Sequence, residues 1–246
     1  MTTTVALVGA TGRMGQLITG LISELPDFEL VASLDSRSPL ETMKGADLVV
    51  DVTVPAVSQK VVEHALAGGQ HVLVGTSGWS ADRIAGLQPL VTADPEVGIA
   101  IVPNFSIGSV LATTFAATAS RYFDSVEIVE AHHAGKVDSP SGTAVRTAEL
   151  MLAARGDLGP VAAPHVDQRA RGQQVSSIPI HSLRLHGVVA KQDVIFGGTG
   201  ELLTISHETL SASSYEAGIL LALRTTPQVR GIVVGLDRLI EMDASA

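Results

Sequence analysis

Two spacings of apolar residues alternate along the first hundred or so positions of the chain. Short apolar runs, which predict strands, are separated by stretches in which apolar residues return every three or four positions, which predict helices. The predicted strands are residues 5–8, 29–34, 48–52, 71–74 and 99–102. Helices between them include residues 58–67 and 81–91. This alternation predicts an α/β fold with a doubly wound parallel sheet.

A glycine-rich turn, the glycine loop of residues 9–15, joins the first predicted strand to the first predicted helix. It follows the pattern G-x-x-G-x-x-G, and the helix behind it keeps apolar residues at helical spacing until Pro26. Glycines here allow a tight turn, close approach of the backbone to a pyrophosphate, and close packing of helix on strand. The strand, turn and helix together predict a Rossmann-type dinucleotide site.

Charged residues near the second predicted strand leave the choice of nucleotide open. Asp35 lies about twenty residues beyond the last glycine of the loop, where an acid accepts hydrogen bonds from ribose hydroxyls and favours NADH. Arg37 and Arg13 would instead suit the 2′-phosphate of NADPH. Asp35 would also suit an ordinary turn after a strand.

Ligands of doubly wound sheets collect beyond the carboxyl ends of the strands, so the loops there are candidates for binding. Thr76 and Ser77 offer hydroxyl and N–H groups to a nicotinamide or a substrate, and they equally suit a cap of the following helix. Asn104 suits a hydrogen bond to a carboxamide or the holding of a turn.

Strands follow one another more closely in the second half of the chain, which predicts an α+β second domain. The predicted elements there are strands 126–129, 178–185, 189–196 and 202–207 and helices 107–121 and 141–155. Glycines predict hairpin turns at Gly187 and at residues 197–200. Residues 156–177 predict a mobile loop, whose Arg169 and Arg171 either reach a bound anion or, as we favour, interact only with solvent.

The end of the chain predicts a return to the first domain, through a helix at residues 215–225 and a strand at residues 231–236. We therefore expect residues 1–105 and 216–246 to form a dinucleotide-binding domain. Residues 106–215 are expected to form a second domain that binds the substrate.

The densest chemistry lies in residues 130–144. His132 and His133 can exchange protons near neutral pH, and Lys136 adds a positive charge on a flexible stem. A helix is predicted to begin at Ser141, and Gly142 leaves its backbone N–H groups open to a carboxylate or phosphate. Together these groups predict an anion site with proton donors.

For an isolated pair of adjacent histidines, a plainer interpretation is favoured. Adjacent residues of a strand point to opposite faces, so one imidazole would be packed and hydrogen-bonded and the other solvated. No metal is expected at the pair, because it lacks the i, i+4 spacing of helical zinc motifs, the chain has no cysteine, and Lys136 opposes a cation.

The composition and charge of the chain argue against several other classes of function. The net charge of −9, the absence of a basic run and an aromatic content of 3% argue against binding of nucleic acid. Without cysteine there are no disulfides and no thiol chemistry. No apolar segment approaches the length of a membrane span, and we expect a cytoplasmic protein with no membrane partner.

Taken together, the glycine loop and the motif at residues 130–144 make the chain resemble the 4-hydroxy-tetrahydrodipicolinate reductase (dihydrodipicolinate reductase) family of bacterial diaminopimelate and lysine biosynthesis. The most specific element is His132-His133 followed by Lys-Val-Asp at 136–138 and Pro-Ser-Gly-Thr-Ala at 140–144. The glycine loop and the segments 75–76, 103–105, 196–197 and 200–201 support the likeness, which covers nearly the full length. Departures from the family pattern stand at Ser77, Gly135, Ser139 and Lys191.

The resemblance implies a Rossmann cofactor domain, a substrate domain whose open sheets assemble a homotetramer, and reduction of a small cyclic dicarboxylate with NADH or NADPH. It implies that His132 and Lys136 are the catalytic proton donors. The implied substrate-binding residues are His133, Lys136, Ser141, Gly142 and Thr143. The cofactor-binding candidates, Arg37 included, are Gly9, Ala10, Thr11, Gly12, Arg13, Met14, Asp35, Arg37, Gly75, Thr76, Ser77, Val102, Pro103, Asn104 and Phe105.

Two rival functions fit parts of the pattern. A short-chain dehydrogenase would need a Tyr-x-x-x-Lys pair, but Val126 follows Tyr122 and Ile219 follows Tyr215 at that spacing. A non-catalytic dinucleotide sensor would keep the fold and lose the chemistry, and turnover of a candidate substrate separates it from an enzyme.

Overall fold

The computed structural model describes residues 2–244, which fall into two compact units. The described part of the first unit is residues 2–106 and 215–244, and the second unit is Ile107–Ser214. Residues 1, 245 and 246, which the predicted division places in the first domain, lie outside the described residues. No helix within residues 2–244 is both long and apolar enough to cross a membrane.

Eleven strands and eight α-helices make up the two units within residues 2–244, numbered in chain order. The strands are β1 (Thr3–Val8), β2 (Phe28–Leu34), β3 (Leu48–Asp51), β4 (His71–Val74), β5 (Gly98–Ile101), β6 (Ser125–His133), β7 (Gln173–Val175), β8 (Ile178–Leu185), β9 (Ala190–Gly198), β10 (Glu201–Thr209) and β11 (Gly231–Val234). The α-helices are α1 (Arg13–Ser23), α2 (Pro55–Ala67), α3 (Ala81–Ala85), α4 (Gln88–Ala93), α5 (Ile107–Ala119), α6 (Gly142–Arg155), α7 (Glu216–Thr225) and α8 (Leu236–Asp243).

The first unit is built on a parallel sheet in the order β11-β5-β4-β3-β1-β2. The predicted doubly wound α/β sheet is therefore confirmed. Its inner strands β1, β3, β4 and β5 are largely apolar without alternation because both faces are covered, and Leu7, Val49 and Val72 are fully buried, whereas the edge strand β2 alternates between buried and more exposed positions. The chain runs from β1 to β2 on one side and then to β3 on the other, so the carboxyl ends of β1 and β3 flank the switch point where ligands collect.

Two predictions in the first unit were wrong in detail. The helix predicted at residues 81–91 is two short helices, α3 and α4, because Gly86 is a poor helix former and Pro89 suits the first turn of a new helix. The strand predicted at residues 231–236 ends at Val234, where Gly235 has a φ of 104° and α8 begins.

The second unit is built on a mixed sheet in the order β10-β9-β6-β8-β7. β8 is parallel to β6, whereas β9 is antiparallel to both β6 and β10. The hairpin predicted at residues 197–200 is confirmed, but the one at Gly187 is wrong. β8 and β9 lie on either side of β6, so the turn at Gly187 passes across the end of β6. A glycine signals a turn without specifying which strands it pairs.

Two further predictions in the second unit need correction. The strand predicted at residues 126–129 is the longer β6, which carries both adjacent histidines. The loop predicted at residues 156–177 contains the short strand β7, and Arg171 forms an ion pair with Glu127 rather than facing solvent alone.

The face of this sheet that packs on α5 and α6 changes character along the strands. Ile180, Ile128 and Val194 are adjacent across β8, β6 and β9, and all are buried. One step further along each strand on the same face, the register brings polar side chains together. This polar row consists of Ser182, Glu130, Gln192 and His207. The next row contains Arg184 and His132. The sheet thus has an apolar core at one end and a polar site at the other.

Candidate functional site

The glycine loop in the first unit is packed too tightly for side chains. A Cβ on Gly15 would lie 2.3 Å from the carbonyl oxygen of Gly9. A Cβ on Gly9 would lie 2.6 Å from the carbonyl oxygen of Val52, and the φ of Gly9 is 92°. α1 therefore approaches the end of β1 closely, as the glycine pattern predicts.

The N-terminus of α1 is open to an anion. Gly12 is its N-cap residue, no side chain within the described residues caps it, and its first turn carries no acidic residue. Thr11 and Arg13 are exposed beside it, and Met14 is half-buried. Uncapped N–H groups at a helix N-terminus bind phosphate, so this end of the first unit fits the pyrophosphate of a dinucleotide.

Asp35 follows β2 and closes a turn. Its Oδ1 accepts hydrogen bonds from the backbone N–H groups of Arg37 (2.9 Å) and Ser38 (3.1 Å) and from the Ser38 hydroxyl (3.0 Å). Its Oδ2 lies 3.3 Å from an Nη of Arg37. The N–H of Arg37 and the Ser38 hydroxyl lower the pKa of Asp35, so the carboxylate stays charged. Asp35 can hold the turn and still contact a ribose, because the turn uses Oδ1. Its other oxygen, Oδ2, lies beside Arg37 and could also accept from a ribose hydroxyl.

The other candidate cofactor residues lie after β4 and β5. Phe105 is buried, and a Cβ on Gly75 would lie 2.7 Å from its ring. Thr76 is buried and Ser77 is exposed, and neither caps α3, whose cap is Ser80. Asn104 accepts a hydrogen bond at Oδ1 from the N–H of Ser106 (2.9 Å), so it holds a turn. Val102 is buried and Pro103 is exposed at this turn.

The two histidines at the end of β6 differ in environment. The side chain of His132 is largely enclosed, at 16% exposure, whereas His133 is exposed. Alternation along a strand places them on opposite faces. The plainer interpretation of the pair therefore describes their packing correctly. An enclosed and hydrogen-bonded His132 can still exchange protons with a ligand.

A buried carboxylate holds His132. Glu130 is fully buried, and its Oε2 lies 2.6 Å from Nδ1 of His132. Arg184 meets the same carboxylate with two hydrogen bonds, from Nη1 to Oε2 and from Nη2 to Oε1, both at 2.9 Å. Paired contacts of this kind are among the stronger hydrogen bonds in proteins.

Burial and charge act on this group in opposite directions. Burial raises the pKa of Glu130, but the polar groups around it, Arg184 first and then Ser182 and His132, outweigh burial, so the pKa lies below its ordinary value. Burial also lowers the pKa of His132, with Glu130 opposing that effect. The imidazole is therefore neutral over more of the pH range than a solvated histidine, while Glu130 is ionised.

Lys136 lies in the turn after β6. Its Nζ donates to both carboxylate oxygens of Asp138, at 2.7 Å and 2.8 Å. This hydrogen bond is the main cause of the lowered pKa of Asp138. The carbonyl oxygen of Asp138 in turn accepts a hydrogen bond from Arg184 (2.7 Å). Arg184 thereby ties the segment that carries Lys136 to the carboxylate that holds His132.

The first turn of α6 completes the site. Ser141 is its N-cap, and its Oγ accepts from the N–H of Ala144 (3.2 Å). The N–H of Ser141 donates to Oε1 of Glu130 (3.2 Å), which leaves its hydroxyl as the group that can donate to a ligand. Gly142 is exposed and Thr143 half-exposed, so their backbone N–H groups face the open end of the helix.

Glu130 and Arg184 were not predicted to belong to the site. Glu130 stood within the predicted motif, but an acid two residues before a histidine on a strand is a weak signal. Arg184 is separated from Glu130 by 54 positions, and nothing in the pattern near it pointed to a partner. Only the parallel pairing of β6 with β8 brings the two together.

The chain matches two family models that together span most of its length. Residues 3–105 match the model described as "Dihydrodipicolinate reductase, N-terminus", and residues 108–240 match "Dihydrodipicolinate reductase, C-terminus".

Curated relatives named 4-hydroxy-tetrahydrodipicolinate reductase share much of the sequence. The protein of Clavibacter sepedonicus is 69% identical over 245 residues, which cover 100% of this chain and 88% of that protein. The protein of Streptomyces griseus subsp. griseus is 43% identical over 245 residues, covering 97% of this chain and 98% of that protein.

Solved structures agree with the sequence matches. Dipicolinate-bound dihydrodipicolinate reductase from Paenisporosarcina sp. TG-14 has a TM-score of 0.82 at 30% identity, over 97% of this chain and 99% of that one. Apo scyllo-inositol dehydrogenase from Lactobacillus casei has a TM-score of 0.60 at 12% identity, over 98% of this chain and 92% of that one. The second likeness is one of fold alone.

Proposed function

The chain belongs to the dihydrodipicolinate reductase family, and on that premise we propose which of its residues bind the reactants and which supply protons. It reduces 4-hydroxy-tetrahydrodipicolinate to tetrahydrodipicolinate with NADH or NADPH, a reaction of diaminopimelate and lysine biosynthesis. The hydroxyl group leaves as water, so the reaction consumes one hydride and one proton.

The first unit binds the nicotinamide nucleotide. The open N-terminus of α1 and the glycine loop fit the pyrophosphate, because their N–H groups are uncapped and side chains at Gly9 and Gly15 would clash with the backbone. Asp35 and Arg37 lie where the adenosine ribose would be read. Residues 75–77 and 102–105 form the loops at the carboxyl ends of β4 and β5, where the nicotinamide end would bind.

The second unit binds the dicarboxylate. One carboxylate would accept hydrogen bonds from the N–H groups of Gly142 and Thr143 and from the Ser141 hydroxyl, and Lys136 would pair with negative charge on the same ligand. His133 is assigned to this set through the family resemblance. The Paenisporosarcina reductase binds dipicolinate, which is a dicarboxylate of the expected class.

His132 and Lys136 supply the protons. NADH or NADPH supplies the hydride when bound, and the chain's own residues must move the protons. The departing hydroxyl takes up one proton, loss of water releases one from an adjacent ring carbon, and the carbon that gains electron density after hydride transfer takes up one, so the net uptake is one proton. One observation carries this assignment. Glu130 accepts hydrogen bonds from His132, Ser141 and Arg184, and Arg184 donates to the carbonyl oxygen of Asp138, so the imidazole, the Lys136 segment and the first turn of α6 form one cluster.

The family resemblance also implies a cytoplasmic homotetramer, and the exposed face of the second sheet supports the assembly. Leu183, Leu185 and Leu202 lie on the face opposite Glu130 and are 45%, 47% and 77% exposed. An open apolar sheet face is suited to burial against another copy. The cytoplasm is where reduced nicotinamide nucleotides are available for biosynthesis. Light scattering after size exclusion would measure the assembly, and a monomer would contradict it.

The reaction can be followed by oxidation of NADH and NADPH at 340 nm with 4-hydroxy-tetrahydrodipicolinate generated enzymatically in the cuvette. We expect oxidation that depends on the substrate and is inhibited by dipicolinate. The single tryptophan, Trp79, lies in the first unit, so energy transfer from it to NADH measures nucleotide binding separately. Wild-type turnover by a His132→Asn variant that binds NADH normally would contradict the assignment of His132.

A further inference from the structure

Glu130 is the point where the parts of the second-unit site meet. Its Oε1 accepts from Ser141 N–H and from Arg184, and its Oε2 contacts Arg184 and His132. We propose that Glu130 and Arg184 form a positioning pair that fixes which nitrogen of His132 faces the substrate and aligns it with the first turn of α6. This inference rests on the proposed function, since it assumes that His132 donates a proton.

The carboxylate determines how the imidazole is used. An ionised Glu130 can only accept at Oε2, so Nδ1 of His132 must be the donor in their 2.6 Å contact. Nε2 is therefore the nitrogen that can give a proton to a ligand and be left neutral afterwards. A protonated imidazole is also stabilised by the adjacent negative charge.

The guanidinium determines where the carboxylate sits. A fully buried carboxylate without a counter-ion would be costly, and Arg184 meets it with two parallel hydrogen bonds. Arg184 also donates to the carbonyl oxygens of Leu183 and Asp138, each at 2.7 Å. Movement of either member of the pair would therefore displace His132, the Lys136 segment and the N-terminus of α6 together.

The charged groups around His132 define the expected pH dependence. Its own strand contributes Glu130, β8 contributes Arg184, and the following turn contributes Lys136 with its partner Asp138. The neighbouring residue on β9 is the uncharged Ala190, and His207 on β10 lies one row away. Among these groups, Glu130 is the one that favours protonated His132 directly, while Lys136 and Arg184 disfavour it.

The first test is Glu130→Gln, which keeps the shape of the side chain and removes its charge. A general acid must be protonated, so kcat/KM falls as the pH rises through the pKa of His132. Loss of the Glu130 charge lowers that pKa further. The alkaline limb of the kcat/KM profile should therefore move to lower pH, and kcat at neutral pH should fall on the order of 10- to 100-fold.

Glu127→Gln is the matched control. Glu127 lies on the same strand and also contacts an arginine and a histidine, Arg171 and His181, but it points to the opposite face of the sheet. We expect this variant to keep the wild-type alkaline limb and a kcat within about twofold of wild type. An equal loss in both variants would overturn the positioning role.

If Glu130→Gln does not fold, Glu130→Asp provides the same test. The shorter aspartate keeps a negative charge for Arg184 but moves the carboxylate away from Nδ1 of His132. Both variants should also be made with His132→Asn. If Glu130 acts chiefly through His132, its substitution should lower kcat clearly less in that background than in the wild-type background. A full additional loss there would identify a merely structural role and overturn the proposal.

These outcomes separate the proposal from the function on which it rests. Wild-type kcat in His132→Asn alone would remove the proton-donor assignment itself. A loss in His132→Asn combined with an unmoved pH profile and kcat in Glu130→Gln and Glu130→Asp would leave that assignment standing and overturn only the positioning pair. Energy transfer from Trp79 to NADH should be unchanged in every folded variant.

Discussion

The Nζ atom of Lys136 lies 2.7 Å from Oδ1 and 2.8 Å from Oδ2 of Asp138, two positions further along the chain. Lys136 is therefore held by a carboxylate that belongs to its own turn, and the 20% exposure of its side chain leaves it within reach of a ligand. A dicarboxylate substrate would compete with Asp138 for the same ammonium group. This pair is a local anchor that keeps the charge in place.

Lys136→Ala should lower kcat on the order of 10²-fold or more, because it removes the group that we propose as both a proton donor and an anchoring charge. Binding of NADH, measured by energy transfer from Trp79, should stay normal. Lys191→Ala is a matched control, since Lys191 also pairs with an aspartate two positions on, Asp193, at 3.2 Å. Equal rates in the two variants would contradict the role of Lys136.

Gly15→Ala should weaken NADH binding severely and destabilise the fold by about 1 to 3 kcal/mol, because the new Cβ would lie 2.3 Å from the Gly9 carbonyl oxygen. Gly20→Ala on the same helix is the control. No atom lies within 4 Å of its Cβ position, so helix propensity should raise stability by about 0.5 to 1 kcal/mol. Thermal unfolding and Trp79 energy transfer measure both effects. Normal NADH binding by Gly15→Ala would contradict the packing argument.

Asp35→Asn should shift the nucleotide preference towards NADPH. The pKa of Asp35 is lowered by the N–H of Arg37 and by Ser38, so the carboxylate is charged and would repel a 2′-phosphate. Removing that charge should raise the ratio of kcat/KM for NADPH to that for NADH by about tenfold, equivalent to about 1.4 kcal/mol. Asp47→Asn, in the same unit but held by Thr4, should leave the ratio unchanged. An unchanged ratio in Asp35→Asn would show that the ribose is read elsewhere.

His71→Asn should make stability less dependent on pH below neutrality. Nδ1 of His71 accepts a hydrogen bond from the N–H of Gly98 (3.2 Å), and burial, followed by the charge of Arg230, lowers its pKa. The unfolded chain therefore binds more protons than the folded one as the pH falls below about 6.5, and the stabilising effect of neutral His71 is lost in that direction.

Urea unfolding at pH 7 and pH 5 measures this effect. The difference between the two free energies of unfolding should be smaller in His71→Asn, whose side-chain oxygen can still accept from Gly98, than in wild type. His186→Asn, at an exposed position, should behave like wild type. A variant at His71 with the wild-type pH dependence would show that its titration does not contribute.

Local pattern was sufficient to predict the first unit. The strands ending at Val8 and Val74 and the helix that begins at Arg13 follow from short-range spacing, because a buried parallel strand is apolar throughout and a covering helix is apolar on one side. The glycine loop could also be recognised from its spacing, because Gly12 and Gly15 pack against Gly9 a few residues away, although Gly9 itself packs against the distant Val52. Residues 81–91 were predicted as one helix because their apolar spacing is helical throughout. Apolar spacing alone did not reveal that the helix is interrupted at Gly86.

The amino-acid sequence by itself determined the parallel sheet, the glycine loop and the grouping of His132, Lys136 and Ser141 within one strand-to-helix segment. Tertiary structure alone decided that Arg184 meets Glu130, that the turn at Gly187 crosses β6, and that His132 is enclosed while His133 is exposed. The physical reason is that strand partners are chosen by contacts between distant segments. Neither a turn residue nor a two-residue alternation specifies which strand will lie alongside.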